Sequence, residues 1–493
     1  METLDPVDWG DFARVAHEAV DRAILHTRTL GDRPVWRPLP AESGAAFRRP
    51  LPRGPQPLPE VVDEAWDSVL SHPMGNTHPR FWMWYMGASS LTGALADFLA
   101  AVDGSNLGGG AHAAAEVERQ VIDWMKAIAG FPPEASGTLT SGGSAANLIA
   151  LTVARNHAAS FDLREEGVAA LPRPLRFYAS DQVHGCHRKA VEMLGLGNRA
   201  LRRIPGGPDF RLDPVALAAA IDEDRRAGWQ PACVIANAGT VNTGAIDPLP
   251  ELADLCQREG LWLHVDGCIG AVARLSERYG HLLQGIERAD SLALDPHKGL
   301  HVPFEAGCVL LRDPAAHLGS FALHSEYLDP AARGIAAGGW LFDYGFQTSR
   351  GFRALKVWMM MKEHGADRFG RIIGRNIDLA HRLAARVDAE ARLSRLDPVT
   401  LDIVCFRYDP GGMTAEARTA LNVEIMMRLQ ESGVAAFSDT TLRGEHWLRA
   451  AICNHRTTPE DIDAAITALV ELGEMLCPAY RSEAAESLES RGR

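Results

Sequence analysis

Short apolar runs of strand length alternate with longer helical stretches through the middle of the chain. Neighbouring parallel strands need a crossover of about a dozen or more residues, and a helix is the usual crossover. The alternation therefore predicts an α/β fold with a mostly parallel sheet that helices cover on both faces. Strands are predicted at 176–179, 233–237, 261–265, 291–294 and 307–311, and helices at 113–129, 145–158, 185–194, 213–226 and 250–259.

The first 75 residues are predicted to form a separate helical and proline-rich segment. Apolar residues recur at helical spacing between 8 and 30, and a second short helix is predicted at 60–70. The stretch between them, 33–59, is rich in proline and is predicted to be non-helical. An apolar helix held on an extended arm indicates packing against another subunit. Folding back onto its own domain is the alternative.

Beyond the sheet, the chain is predicted to enter a smaller α+β domain. Helices are expected at 354–364 and 367–387, and strands at 403–408 and 447–452. Thr458-Pro-Glu-Asp461 has the character of an N-cap and opens the last helix. The predicted parts are a dimerisation segment at 1–75, a large domain at 76–370, a small domain at 371–480 and a polar, disordered tail at 481–493.

Composition and charge argue against several classes of function. The net charge of −13 and the lack of a basic stripe disfavour nucleic acid as a partner. The eight cysteines form no CxxC pair, so we predict no metal site and no disulfide framework. The N-terminus lacks the pattern of a signal peptide, and no apolar run reaches the ~20 residues that span a bilayer. We therefore expect a soluble cytoplasmic protein without a membrane partner.

The stretch SLALDPHKGL, residues 291–300, places a lysine directly after an apolar strand. In isolation, Lys298 would be interpreted as a surface lysine on a loop. The alternative is a lysine that forms a Schiff base with pyridoxal phosphate. Such a lysine needs a desolvated pocket in which its amine can be neutral near pH 7.

Three upstream features favour the pyridoxal phosphate interpretation. Asp266 ends a strand at the sheet edge where open α/β sheets bind ligands, and a carboxylate there can keep the cofactor's pyridine nitrogen protonated. The sequence TSGGSAAN, residues 140–147, opens a helix whose N-terminus can bind a phosphate. His184 follows another strand and can lie flat on the cofactor ring. A histidine satisfied within the core is the alternative for His184.

In this order and spacing, the motifs resemble the group II pyridoxal-phosphate decarboxylases, which include aromatic-L-amino-acid, tyrosine, histidine and glutamate decarboxylases. The resemblance runs from about residue 76 to about residue 463. It implies a fold-type I enzyme with a seven-stranded sheet, and a homodimer with interlocked N-terminal segments and an active site at the subunit interface. It also implies decarboxylation of an L-amino acid to an amine. The motifs are HPRF (78–81), TSGGSAAN, DQVH (181–184), NAGTVNTGAIDPL (237–249), LHVDG (263–267), DPHK (295–298), SRGFRALKVW (349–358) and LRAAICNHRTT (448–458).

The resemblance implies roles for five residues in cofactor chemistry. Lys298 would hold the cofactor aldehyde, and Asp266 would face the pyridine nitrogen. His184 would stack on the ring and orient the substrate. Gly143 and Ser144 match the phosphate-loop positions of the family.

Three further residues match cofactor-binding positions of the family. Asp295 and His297 stand on the phosphate side. Some relatives have asparagine in place of Asp295, and an ionised carboxylate cannot donate to a phosphate, so orienting His297 is the alternative role. Thr240 matches a threonine beside the ring, with turn formation as the alternative.

The dense aromatic stretch FWMWYM, residues 81–86, lies where relatives wall the substrate site. Trp84, Tyr85 and Gly87 are therefore candidate substrate-pocket residues, and burial in the dimer core is the alternative. We predict an aromatic L-amino acid as the substrate. Glutamate is disfavoured, because we identify no cation in the sequence to pair with its second carboxylate.

Several positions depart from the family pattern. Gly87 replaces a threonine of aromatic amino-acid decarboxylases, and Gly299 replaces a common tryptophan. Gly267-Cys268 stands where two alanines, or alanine and tyrosine, are usual. We predict that Gly87 and Gly299 leave room for a bulky substrate. Simple tolerance of glycine is the alternative.

The segment 323–346 has no clear periodicity and is predicted to be a mobile loop over the active site. In the family, this region supplies a tyrosine that protonates the substrate carbon, and Tyr327 and Tyr344 are the candidates. Relatives with phenylalanine there oxidise the amino acid to an aldehyde, and Phe342 and Phe346 keep this alternative open. An aminotransferase and a non-catalytic relative that binds cofactor or partner only are the remaining alternatives.

Overall fold

The computed structural model describes residues 2–323 and 331–491, except for the side chains of 482–491. Strands and helices alternate through the large domain, as the sequence predicts. The strands are β1 (Phe81–Trp82), β2 (Ser136–Thr140), β3 (Leu175–Ser180), β4 (Leu201–Ile204), β5 (Gln230–Asn237), β6 (Trp262–Asp266), β7 (Ser291–Leu294), β8 (Gly307–Leu311), β9 (Leu393–Arg395), β10 (Ile403–Tyr408), β11 (Ala436–Leu442) and β12 (Glu445–Ala451). The α-helices are α1 (Trp9–Arg28), α2 (Ala41–Ala46), α3 (Leu58–Glu64), α4 (Leu91–Asp103), α5 (Ala113–Ala129), α6 (Gly143–His157), α7 (Leu163–Glu166), α8 (Gly185–Met193), α9 (Pro214–Arg226), α10 (Leu249–Glu259), α11 (Pro314–Phe321), α12 (Arg353–His364), α13 (Ala366–Asp388), α14 (Ala415–Glu431) and α15 (Pro459–Arg491).

The larger sheet has seven strands in the order β2-β8-β7-β6-β5-β3-β4. The five neighbouring strands β7, β6, β5, β3 and β4 pair in parallel, whereas β8 is antiparallel to both β7 and β2. All residues of β6, β7 and β8 are buried. This explains why their sequences are continuous apolar runs rather than alternating ones. The predicted α/β fold with a mostly parallel seven-stranded sheet is confirmed.

The smaller sheet has five strands in the order β1-β11-β12-β10-β9. Its first strand comes from far upstream, because β1 pairs in parallel with β11. Trp82 is buried and packs on Phe437 in the core of this domain. Residues 81–82, which we assigned to the large domain, therefore form part of the small-domain sheet.

The helix predictions fail at two places. We predicted 33–59 to be non-helical, but α2 forms there, because the sequence AESGAA between Pro40 and Phe47 contains no proline. We also predicted a disordered tail at 481–493, whereas α15 continues to Arg491. That end is rich in alanine and glutamate, which favour helix. Within the described ranges, no helix combines the length and the hydropathy needed to cross a membrane.

Three parallel strands carry polar residues to one edge of the large sheet. β5 ends at Asn237, β6 ends at Asp266, and Asp295 follows β7 directly. The first turns of α6 and α8 begin beside the same edge, and the small domain covers it. The fold therefore brings carboxylates and two helix N-termini to the site where open α/β sheets bind ligands.

Candidate active site

A cavity of about 560 Å³ opens at the carboxyl edge of the large sheet, below the small domain. Nine of the residues that the sequence identifies as candidates lie on its wall, and they come from five separate stretches of the chain. They are Trp84, Tyr85, Gly143, Ser144, His184, Asp266, Asp295 together with its neighbour His297, and Lys298.

The amine of Lys298 forms an ion pair on the cavity wall. Its Nζ atom lies 2.9 Å from Oδ2 of Asp295, three residues earlier in the same turn. Burial alone would lower the pKa of Lys298, but the carboxylates of Asp295 and Asp266 raise that pKa above its usual value. The predicted desolvated lysine is present, and the nearby carboxylates outweigh the desolvation and favour the protonated amine.

Asp266 is held by three donors from three different elements. Its Oδ2 atom accepts hydrogen bonds from His187 Nε2 at 2.9 Å and from Asn147 Nδ2 at 3.1 Å. Its Oδ1 atom accepts one from the Cys268 N–H at 3.2 Å. Burial would raise the pKa of Asp266, but the His187 side chain lowers it far below the usual range. Asp266 is therefore an ionised carboxylate on the cavity wall.

His184 lies at the cavity wall rather than in the core. It caps α8, and its Nδ1 atom accepts a hydrogen bond from the Cys186 N–H at 3.1 Å. In the neutral ring the proton is therefore on Nε2, which can donate to a ligand. The alternative of a histidine satisfied in the core does not fit this position.

The N-terminus of α6 forms a cradle beside Lys298. Ser141, Gly142, Gly143 and Ser144 line the cavity there, and no side chain caps the helix. The first N–H groups of a helix have no partner within it and attract anions. A Cβ atom on Gly143 would lie 2.4 Å from Sγ of Cys268 and 2.9 Å from Oδ2 of Asp295. These features fit the phosphate of the predicted cofactor.

Asp295 contacts Lys298 more closely than it contacts His297. Nε2 of His297 lies 3.6 Å from Oδ2 of Asp295, which is longer than a hydrogen bond. Nδ1 of His297 instead accepts a hydrogen bond from the Ala306 N–H at 3.1 Å. Burial lowers the pKa of His297, so its ring is neutral. The alternative role of Asp295 in orienting His297 is therefore not supported.

The side chain of Thr240 does not line the cavity. Its hydroxyl group accepts a hydrogen bond from the Ala245 N–H at 3.0 Å and contacts the Thr243 hydroxyl group at 2.9 Å. Thr240 is fully buried within this turn. Turn formation, the alternative for Thr240, fits these contacts.

Gly87 and Gly299 do not enlarge the cavity. A Cβ atom on Gly87 would lie 2.2 Å from the backbone oxygen of His297, and one on Gly299 would lie 2.5 Å from Cγ2 of Val272. Both glycines instead allow neighbouring chain segments to pack closely around the turn that carries Lys298. The prediction that they leave room for substrate is wrong.

Tyr344, the one candidate loop tyrosine among the described residues, does not line the cavity. Tyr344 lies in a short 3₁₀ helix, Leu341–Tyr344, and its ring packs against His317 at 5.1 Å between centroids. Tyr327 lies outside the described residues. Phe342 is buried and stacks on Trp340. Part of the segment predicted as a mobile loop is therefore packed onto the large domain.

One cavity residue carries a positive charge that we did not assign from the sequence. Arg449 lies on β12 and donates hydrogen bonds to the backbone oxygens of Trp84, Val241 and Asn242. An arginine within the apolar run WLRAA was the available signal, because buried charges are rare unless they bind something. The argument that no cation is available near the substrate is wrong. Val241, Asn242, Ile269, Ser438 and Asp439 also line the cavity and were not predicted.

This cavity combines a lysine, an ionised carboxylate, a histidine and an anion cradle, as a pyridoxal phosphate site requires. The family model described as pyridoxal-dependent decarboxylase conserved domain matches residues 40–409. The chain belongs to this family. It is therefore a pyridoxal-phosphate-dependent amino-acid decarboxylase, as the sequence motifs predict.

The relatives of this decarboxylase match it over nearly its full length. It is 34% identical to an aromatic-L-amino-acid decarboxylase of Bacillus atrophaeus, over 95% of this chain and 97% of the relative. The crystal structure of Oryza sativa TDC with PLP and tryptamine matches with a TM-score of 0.88 at 27% identity, over 96% and 100% of the two chains. That of Rhodiola rosea 4-hydroxyphenylacetaldehyde synthase matches with a TM-score of 0.85 at 25% identity, over the same shares.

Proposed function

We propose that this decarboxylase acts on an aromatic L-amino acid and that Lys298 carries the cofactor. The observation that supports the proposal most is the shared cavity, where Lys298, Asp266, His184 and the α6 cradle lie together. Bound pyridoxal phosphate supplies an electron sink for the charge that remains on the substrate when carbon dioxide leaves. The residues around it perform the remaining tasks.

Each of these tasks follows from an observed contact. The N–H groups at the start of α6 hold the phosphate, because no side chain occupies them. Asp266 is ionised, so it holds a proton on the ring nitrogen. His184 lines the cavity with its Nδ1 atom occupied by the Cys186 N–H, so its Nε2–H group would orient the substrate. The Lys298 amine must lose its proton before it can bind the cofactor, and the Asp295 carboxylate at 2.9 Å stabilises the protonated form.

An apolar part of the cavity wall supports an aromatic substrate. Trp84, Tyr85, Val241 and Ile269 lie there, and a relative that shares 34% identity is named for aromatic amino acids. Arg449 adds a cation to the same wall, so glutamate is not excluded by charge alone. Because the Arg449 side chain donates to three neutral backbone oxygens, its charge remains available to a substrate carboxylate.

The substrate proposal is tested by measuring kcat/KM for tyrosine, tryptophan, histidine, leucine and glutamate. We expect tyrosine or tryptophan to be decarboxylated fastest, and Trp84→Ala to reduce their kcat/KM more than that of leucine. Trp358→Ala is the control, since Trp358 lies on α12 and contacts Gln120 away from the cavity. A tenfold preference for glutamate would contradict the aromatic assignment and leave the decarboxylase activity intact.

A second candidate reaction is oxidative conversion of the amino acid to an aldehyde. The fold matches an aldehyde synthase closely, and Phe342 and Phe346 lie in the segment where such relatives carry phenylalanine. Product analysis separates the two reactions. An amine without oxygen uptake supports decarboxylation, whereas an aldehyde with ammonia and oxygen uptake supports the second candidate.

The N-terminal helices support a homodimer. Val15 is the buried residue of α1, whereas Phe12, Val20 and Ile24 are 42%, 55% and 46% exposed. Such an apolar face on a helix indicates a partner surface. Sedimentation should give twice the chain mass of 53.5 kDa, and Ile24→Glu should shift the protein towards the monomer. A monomeric wild type would contradict the proposal. The cytoplasmic location stays a prediction.

A further inference from the structure

A buried chain of hydrogen bonds leads from the core of the large domain to Asp266 at the cavity wall. It runs from Trp262 through Ser291, His264 and Asn147 to the carboxylate. We propose that this chain, together with His187, acts as a positioning relay that keeps Asp266 ionised and leaves acceptor capacity on its Oδ1 atom for the cofactor ring nitrogen. The inference deepens the proposed function, because it rests on the proposed role of Asp266.

The two ends of the relay determine which group donates in every hydrogen bond, because Trp262 can only donate and the Asp266 carboxylate can only accept. The Trp262 indole can only donate, and its Nε1 atom lies 2.8 Å from Oγ of Ser291. Ser291 then donates to Nδ1 of His264 at 2.9 Å. His264 must carry its proton on Nε2, which donates to Oδ1 of Asn147 at 2.7 Å. The Asn147 amide group therefore points its Nδ2 atom at Asp266, which can only accept.

The protonation of His264 agrees with this direction. Burial and the charge of His187 lower the pKa of His264 to about 3, so its ring is neutral. A neutral ring has one donor and one acceptor nitrogen, as the relay requires. The two residues that transmit the orientation, Asn147 and His264, are 1% and 0% exposed, so solvent cannot replace these bonds.

His187 supplies the second donor to the same oxygen of Asp266. Its Nε2 atom lies 2.9 Å from Oδ2, and the residue is fully buried. Burial would lower the pKa of His187, but the neighbouring Cys186 and Asp266 side chains raise it. With His187 and Asn147 both bound to Oδ2, the remaining acceptor capacity belongs to Oδ1, which accepts a hydrogen bond from the Cys268 N–H.

His187 has a second interpretation as a metal ligand. Cys186, His187 and Asp266 each place one donor atom within 4.8 Å of the others. A metal ion bound there would occupy the Asp266 carboxylate and abolish the relay. The two interpretations predict different metal contents for the purified holoenzyme.

The relay is tested on holoenzyme loaded with ¹⁵N-labelled pyridoxal phosphate. The ¹⁵N NMR shift of the ring nitrogen reports its protonation directly and does not depend on turnover. We expect a protonated nitrogen in the wild type and a deprotonated one in Asp266→Asn. His187→Phe removes a donor and should move the shift towards the deprotonated value, whereas His187→Gln retains a donor and should restore it. His264→Gln should give a smaller movement in the same direction as His187→Phe.

The cofactor dissociation constant provides a second measurement on the same variants. In metal sites, loss of a residue that orients a ligand side chain typically costs about 10–100-fold in affinity, and we expect a rise of similar size in His187→Phe. Lys189→Ala is the control, because Lys189 is exposed on the same helix. It should leave both the shift and the dissociation constant unchanged. Circular dichroism shows whether each variant is folded, and His264→Gln tests the relay if His187→Phe does not fold.

The outcomes separate the relay from the proposed function. An unchanged shift in Asp266→Asn would contradict the role of Asp266 itself. The relay alone would be overturned if the ¹⁵N shift changes in Asp266→Asn but stays unchanged in both His187→Phe and His264→Gln. Stoichiometric zinc in the purified holoenzyme would also overturn it, because His187 would then be a metal ligand.

Discussion

The phosphate cradle at the start of α6 leads to a prediction that the geometry specifies closely. In Gly143→Ala, the added Cβ atom would lie 2.4 Å from Sγ of Cys268 and 2.9 Å from Oδ2 of Asp295. Real Cβ atoms do not approach other atoms so closely, so the first turn of α6 must shift. The N–H groups proposed to hold the phosphate shift with it. The substitution should therefore weaken cofactor binding more than it alters the fold.

The size of the effect follows from the cost of overpacking. An added methyl group in a closely packed site costs about 1–3 kcal/mol, and each 1.4 kcal/mol is about tenfold in affinity. We expect the dissociation constant of pyridoxal phosphate to rise between about fivefold and about 150-fold on this basis. Titration of the apoenzyme, followed by cofactor absorbance and tryptophan fluorescence, measures this constant.

A matched control and a rescue variant make the test specific. Gly185 is the first residue of α8, as Gly143 is of α6, and a Cβ atom there meets nothing within 4 Å. Gly185→Ala should therefore bind the cofactor like the wild type. The double variant Gly143→Ala/Cys268→Ala lacks the Sγ atom that the added Cβ atom would meet. Its dissociation constant for the cofactor should therefore lie close to that of Cys268→Ala alone. Wild-type affinity in Gly143→Ala would refute the placement of the phosphate at this helix.

Three further predictions concern the residues around the site. Asp295→Asn removes the carboxylate that raises the pKa of Lys298, so stopped-flow absorbance should show faster covalent attachment of cofactor to the apoenzyme at pH 7; slower attachment would contradict this. Gly87→Ala should reduce soluble yield or thermal stability rather than change substrate preference, because its Cβ atom would meet the backbone of His297 at 2.2 Å; a stable variant with a new preference would contradict this. The pKa of His264 is about 3 in the folded protein and about 6.5 when unfolded, so its neutral form stabilises the fold above pH 6.5, and this contribution is lost as the pH falls towards 3. Between pH 7 and pH 5, the free energy of unfolding should therefore fall by about 2 kcal/mol more in the wild type than in His264→Gln, measured by denaturation of the apoenzyme. Identical pH profiles would refute this.

The parts of the site that the sequence predicts are those encoded locally. Lys298 and Asp266 each end or follow a buried strand, and Gly143 opens a helix, so their positions follow from short stretches of sequence. Arg449 reaches the cavity through the pairing of distant segments, which a local pattern does not show. The structural role of Gly87 also does not follow from the sequence, because a glycine can either leave space or permit the close approach of another segment. The position of the neighbouring backbone determines which of the two roles a glycine has.

The protonation of Lys298 does not follow from the sequence for a related reason. The sequence shows Asp295 three residues before the lysine, but not that its Oδ2 atom lies 2.9 Å from the amine. The desolvation argument is correct in direction, since burial lowers the pKa of Lys298. The nearby carboxylates reverse the result. The balance between the two depends on distances of a few ångströms, which composition and spacing do not supply.

The central proposal is that Lys298 carries the cofactor, and one measurement tests it directly. Borohydride reduction of the holoenzyme fixes the cofactor to its lysine, and peptide mass spectrometry then identifies which of the five lysines is modified. We predict a phosphopyridoxyl group on the peptide that contains Lys298, and no modified peptide from Lys298→Ala treated in the same way. Modification of another lysine in the wild type, such as the buried Lys126 or Lys356, would contradict the proposal.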